Sequence, residues 1–239
     1  MTLFLRAYDH GRQESFRAIV ARFAKLLSSI RALCPEIEGW RGLLGEAPFP
    51  IEGEPDAEAV VATSARMWRS GNEELVAYGP SAVGLHLGLE VVNVSLVAGV
   101  GASTLPVWVP NQSNIEIRPP LSTELMKNRE RLQALLMGLV SACQPAWAVV
   151  EVDGHPTPPV PPFADGAPSV GWMTFLDRAY GAVPRALPEP SVAVDTGLGT
   201  LIVAHSSRPD RDAISRVQLA LGDAVLRPAR ALGTSALAR

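Results

Sequence analysis

One stretch limits the fold more than any other. From Arg12 to Leu33, the residues Phe16, Ile19, Val20, Phe23, Leu26, Leu27 and Ile30 recur at steps of three and four, the spacing of one face of a buried helix. Arg17, Arg22, Lys25 and Arg31 fall largely off that stripe. Cys34-Pro35 ends it, because proline removes a backbone donor and restricts the residue before it. Ahead of the helix, Thr2 to Tyr8 alternates as a strand, with Leu3 and Leu5 on one face.

The same order recurs later. LFLRAYD, a long helix, Cys34-Pro35 and Trp40 are echoed by IEIRPP, a long helix, Cys143-Gln144-Pro145 and Trp147. The second helix is expected from Thr123 to Cys143, with Ser122 as its N-cap and Leu125, Leu132, Leu135, Leu136, Leu139 and Val140 as its stripe. The expected fold is α+β: an antiparallel or mixed sheet packed against long amphipathic helices, with two pseudo-symmetric halves as one arrangement the echo allows. Residues 1–228 are expected to form one domain and residues 229–239 a frayed tail.

Between these units, Val83 to Val97 alternates as one strand whose apolar phase flips between Val91 and Val92, the mark of a β-bulge or a change of face. Further strands are expected at Leu105–Pro110, Ser113–Arg118, Ala146–Val152 and Gly171–Leu176. A hairpin is expected from Ser191–Asp195 and Thr200–His205 around Gly197-Leu198-Gly199. A loop from Gly42 leads to a helix from about Pro55 to Gly71. Ser207 with Asp210 resembles a capping box opening a last helix, Arg208 to Leu226.

Composition excludes several classes. The 239 residues are 19% charged, with a formal charge of −3 and a pI near 5.8, which argues against a nucleic-acid binder with its basic stripe. No apolar run reaches the roughly 18–20 residues of a membrane span. The N-terminus lacks a secretory signal pattern. Two cysteines, Cys34 and Cys143, read as buried thiols of a cytoplasmic protein.

The chain carries no nucleophile elbow, phosphate loop or dinucleotide fingerprint. His10, His86, His155 and His205 have no partner at metal-ligand spacing. No catalytic, metal or cofactor residue is therefore assigned, and no cofactor is expected. Cys34 and Cys143 end helices, and helix C-termini do not activate thiols. Scattered acids near strand ends, Asp9, Asp153, Glu151 and Asp195, keep an enzyme with a carboxylate site as an alternative. A non-catalytic secretion-system scaffold is another.

Two features suggest binding. Glu46, Glu52, Glu54, Asp56 and Glu58 form a one-sign run, suited to steering a basic partner. A nuclease is a natural basic partner, since its substrate groove must attract phosphate. Trp40, between Gly39 and Gly42, is the tryptophan most suspected of structuring a binding surface. These six residues are the expected partner-binding set.

The motif order then resembles a known family. EGWRGLLGEAPFP around Trp40, GWMTFL at Gly171 to Leu176, the PEPSV loop, GTLIV at Gly199 to Val203 and a final helix are similar to the bacterial immunity protein 52 family of polymorphic-toxin systems. HSSRPDRDAIS, ahead of that helix, departs from the family's more acidic, Asn-Pro-Glu-like pattern. The resemblance implies a cytoplasmic antitoxin, monomeric or homodimeric, that neutralises a cognate secreted toxin by occlusion. The implied toxin is a restriction-endonuclease-like nuclease, often delivered by type VI secretion.

Overall fold

A computed structural model describes residues 1–9, 14–44, 47–70, 73–100, 111–153, 170–178, 183, 186–205 and 207–221. The elements run β1 (Leu3–Asp9), α1 (Phe16–Leu33), β2 (Gly39–Leu44), β3 (Ala47–Ile51), α2 (Glu54–Thr63), β4 (Ala65–Ser70), β5 (Glu73–Tyr78), β6 (Ser81–His86) and β7 (Leu89–Val100). There follow β8 (Asn111–Ile117), α3 (Leu121–Lys127), α4 (Arg129–Cys143), β9 (Trp147–Val152), β10 (Met173–Asp177), β11 (Val192–Asp195), β12 (Gly199–Val203) and α5 (residues 211–221).

The strands form an open antiparallel sheet in the order β11-β12-β10-β9-β1-β8-β7-β6-β2-β3. β5 pairs with the far end of β7, and β4 lies outside β5. The fold is α+β, as strand alternation and the two helical stripes predict.

Alternation decides which face is covered. In β1, Leu3, Leu5 and Ala7 are buried, whereas Phe4 and Arg6 are only half-buried. Their register partners in β8, Ile117, Ile115 and Ser113, are buried on the same face, and so are Val92, Val94 and Leu96 of β7. Against this face lie α1, through Ile19, Phe23, Leu26 and Ile30, and α4, through Leu132, Leu136 and Leu139. α1 starts where Ser15 Oγ accepts from Ala18 N at 3.2 Å. On the opposite face of β1, Arg6 pairs with Glu151 at 2.7 Å and Tyr8 stacks on Trp147 with centroids 5.0 Å apart.

The echo holds as far as strand and helix: β1 and β8 pair side by side, and α1 packs on α4. Beyond the helices it diverges. β9, carrying Trp147, lies directly beside β1, while β2, carrying Trp40, lies beyond β7 and β6 from β8.

Several boundaries differ from the sequence expectations. The single helix expected over 123–143 is two helices, broken at Asn128, whose side chain accepts from Arg131 N at 3.1 Å and caps α4. Ser122 is not the cap; Pro120 is, and the Ser122 hydroxyl donates to Met1 O at 2.7 Å. α2 stops at Thr63, so the end of the helix expected to Gly71 is strand β4. The single strand over 83–97 is a hairpin, β6 and β7, turning at Leu87-Gly88, and a register shift at Gly84/Leu85 supplies the bulge. α5 is capped by Asp210, whose Oδ1 accepts from Ala213 N at 2.8 Å, rather than by Ser207, which contacts His205 Nδ1. The strand expected at 105–110 and the tail at 229–239 lie outside the described residues.

Candidate partner-binding surface

β2, β3 and α2 bring five of the six expected binding residues, Trp40, Glu52, Glu54, Asp56 and Glu58, to one corner. Trp40 is not in a loop: it sits within β2, opposite Ile51 and Gly84, and is only 4% exposed. Sequence reading missed β2 because glycines flank the tryptophan. Gly84 is what admits the indole, since a Cβ there would lie 3.1 Å from its six-membered ring. Trp40 is therefore a core residue that floors a surface cleft, and its buried indole N–H has no hydrogen-bond partner among the described residues.

That cleft, about 340 Å³, is bounded by α1 (Ala21, Lys25, Ser28, Arg31), by Trp40 and Ile51, and by Glu52 and Glu54 at the start of α2. A second hollow of about 430 Å³ continues along α1 and α2 between Arg17, Val20, Glu54 and Glu58. Glu52, Glu54 and Glu58 are exposed, as the sequence suggested. Asp56 instead serves its own helix. Its carboxylate accepts from Glu52 N at 2.9 Å and Gly53 N at 3.2 Å, tying off the first turn of α2. Glu46 lies outside the described residues.

In space the run is not of one sign. Arg17, Lys25 and Arg31, placed off the apolar stripe of α1, line the same two hollows. Lys25 Nζ is also tied to α4, donating to Ser141 O at 2.8 Å. Periodicity marks these cations as exposed, but only the packing of α2 beside α1 brings them to the acids.

The corner continues into the α1–β2 connection. Arg131 of α4 pairs with the Glu36 carboxylate and donates from Nε to Leu33 O at 2.6 Å. The guanidinium holds the Glu36 carboxyl below its ordinary range. His86 Nδ1 lies 2.9 Å from Glu36 O, Glu38 N donates to Leu85 O at 2.9 Å, and Leu87 N donates to Glu38 Oε1 at 3.1 Å. Cys34, beside this network, is buried and its thiol is pushed up to about 11 by desolvation, which keeps it a protonated packing group at neutral pH.

The acids held open as catalytic candidates do not converge. Glu151 on β9 is paired with Arg6. Asp195 lies on edge strand β11, with β12 and β10 between it and β9, and its carboxylate caps the β11–β12 turn by accepting from Gly197 N at 2.8 Å. Asp153 is exposed, and the side chain of Asp9 is not described. Among the described residues, no group of three His, Cys, Asp or Glu side chains could hold a metal. No helix there is long and apolar enough to cross a membrane.

What the architecture defines is an α+β protein with an open antiparallel sheet and a mixed-charge corner at one sheet end. The family model described as immunity protein 52 matches residues 1–226, and the chain belongs to that family. Among solved structures it is similar to the Pseudomonas aeruginosa T6SS protein PA0821, with a TM-score of 0.55 and 10% identity over 95% of this chain and 73% of that one. At that identity the likeness is one of fold. No curated protein matches the sequence.

Proposed function

We propose that this protein is the antidote of a cognate secreted toxin, that the toxin is a nuclease domain of restriction-endonuclease fold, and that it is neutralised by occlusion. The observation that carries the reading is membership of the immunity protein 52 family across residues 1–226. The exposed carboxylates of Glu52, Glu54 and Glu58 add groups that a basic partner could meet, alongside the cations Arg17, Lys25 and Arg31 that line the same hollows. A nuclease presents such a surface because its groove is built for phosphate. Occlusion needs only complementary shape and charge, and the convergent polar groups of this corner are hydrogen-bonded in caps and ion pairs. The antidote acts in the cytoplasm, where the nuclease would meet its substrate.

Co-expression with a cognate toxin domain, sought first in the adjacent genes, tests this. Cells carrying both are expected to survive and to keep intact DNA, while cells with the toxin alone lose viability. Equal killing in the presence and absence of this chain would reject the reading.

A further inference from the structure

We propose that the tip of the β6–β7 hairpin, Leu87 and Leu89, is an apolar anchor that seats in a socket rimmed by lysine and arginine side chains on the cognate toxin. The proposal rests on the antidote reading above and names the contact through which that antidote would grip its target.

The tip is unfavourable for the isolated molecule in two ways. Leu87 and Leu89 are 76% and 62% exposed. Leu87 also has φ 51 and Gly88 φ 75, both on the left-handed side, the pattern of a two-residue type I′ turn. Asn-Gly is the sequence such a turn favours, because asparagine tolerates that backbone while leucine's Cβ crowds it. A Cβ placed on Gly88 would meet nothing within 4 Å, so that side of the turn faces open space. An exposed large apolar side chain held in a strained turn brings no benefit to folding, and such outliers concentrate at functional contacts.

The tip is also rigid. Leu87 N is held by the Glu38 carboxylate at 3.1 Å, and His86 Nδ1 lies 2.9 Å from Glu36 O. Glu36 is in turn clamped by Arg131. These bonds hold the turn backbone, so less backbone entropy is lost when the two leucines are engaged.

Charge selects the occupant. Around the tip, Glu36 pairs with Arg131 and Glu116 with Arg118, which also feels the charge of Glu90; Glu38 and Glu90 are exposed, so carboxylates outnumber guanidinium groups there. Pairing of Gly39 with Leu85 and of Trp40 with Ile51 places the tip and Glu52 at the same end of the sheet, two strand spacings or about 10 Å apart. Glu52 and Glu54 lie toward that side but share their cleft with Lys25 and Arg31, so the net negative charge is at the tip itself, through Glu38 and Glu90, and the matching surface is basic around an apolar centre.

The test is binding of the purified, catalytically inactivated cognate toxin domain to wild type, Leu87→Asn, Leu89→Thr and Glu90→Lys. Leu87→Asn suits the turn, so its unfolding midpoint is expected to equal or exceed that of wild type. Its affinity is expected to fall at least about tenfold, mainly through faster dissociation. Leu89→Thr should do the same, and Glu90→Lys should slow association. Wild-type affinity in Leu87→Asn and Leu89→Thr would overturn the anchor and leave the antidote reading standing. A wild-type dimer that Leu87→Asn splits, with toxin affinity unchanged, would also overturn it by assigning the tip to a second copy. Absence of any complex with wild type would overturn both.

Discussion

Glu36 shows how a single side chain links the helix layer to the sheet. Its carboxylate pairs with Arg131 from α4, and its carbonyl lies within hydrogen-bonding distance of His86 at the end of β6. Because the folded carboxyl sits below its ordinary range, chiefly through the hydrogen bond from Arg131, the stabilisation is present above the unfolded value, about 4.3. It is lost as pH falls through the lower folded value. Glu36→Gln is expected to lower stability at pH 7 by roughly 0.5–1 kcal/mol, the range of partly exposed pairs. The variant should also lose less than wild type between pH 5 and pH 3, as followed by chemical unfolding across that range. Asp210, held low by its hydrogen bond from Ala213 N at the start of α5, adds to the same acid limb.

Elements meet closely enough that some junctions accept no side chain at all. A Cβ at Gly199 would lie 2.2 Å from Leu176 O, so β12 can approach β10 only with glycine there. Gly199→Ala is expected to destabilise the protein by about 1–3 kcal/mol, since the obstacle is backbone and cannot swing aside; a lowered midpoint in urea would register it. Elements with a strong period were readable in the sequence: α1, the body of α4, β1, and the β11–β12 hairpin with its Gly197-Leu198-Gly199 turn. β3 was not, because Pro48 and Pro50 argue against strand; they are tolerated because β3 is the last strand at its end of the sheet and pairs only with β2. The β6–β7 turn was missed because leucine holds a place normally marked by asparagine or glycine. Exposure of Glu52, Glu54 and Glu58 was legible from the charge run. The capping role of Asp56, the burial of Trp40 and the facing cations of α1 depend on how α2 packs, which local pattern does not encode.

Over the whole molecule, the exposed carboxylates contribute to a field that reaches beyond contact distance. Replacing Glu52, Glu54 and Glu58 together with lysine is expected to slow toxin association several-fold or more, and to weaken its salt dependence, as measured by stopped-flow at two ionic strengths. Asp56 is left in place, since its loss would loosen the first turn of α2 and confound the result. The strand order has a consequence for how the chain is made. β1 leaves the ribosome well before its two neighbours, β8 and β9, which begin only at Asn111 and Trp147. At translation rates of about 5–20 residues per second, the central strand waits on the order of 5–20 s for its first partner. A ribosome halted before β8 therefore releases a polypeptide in which β1 has neither of its sheet partners, so the middle of the sheet closes only after the chain has been made past Ile117.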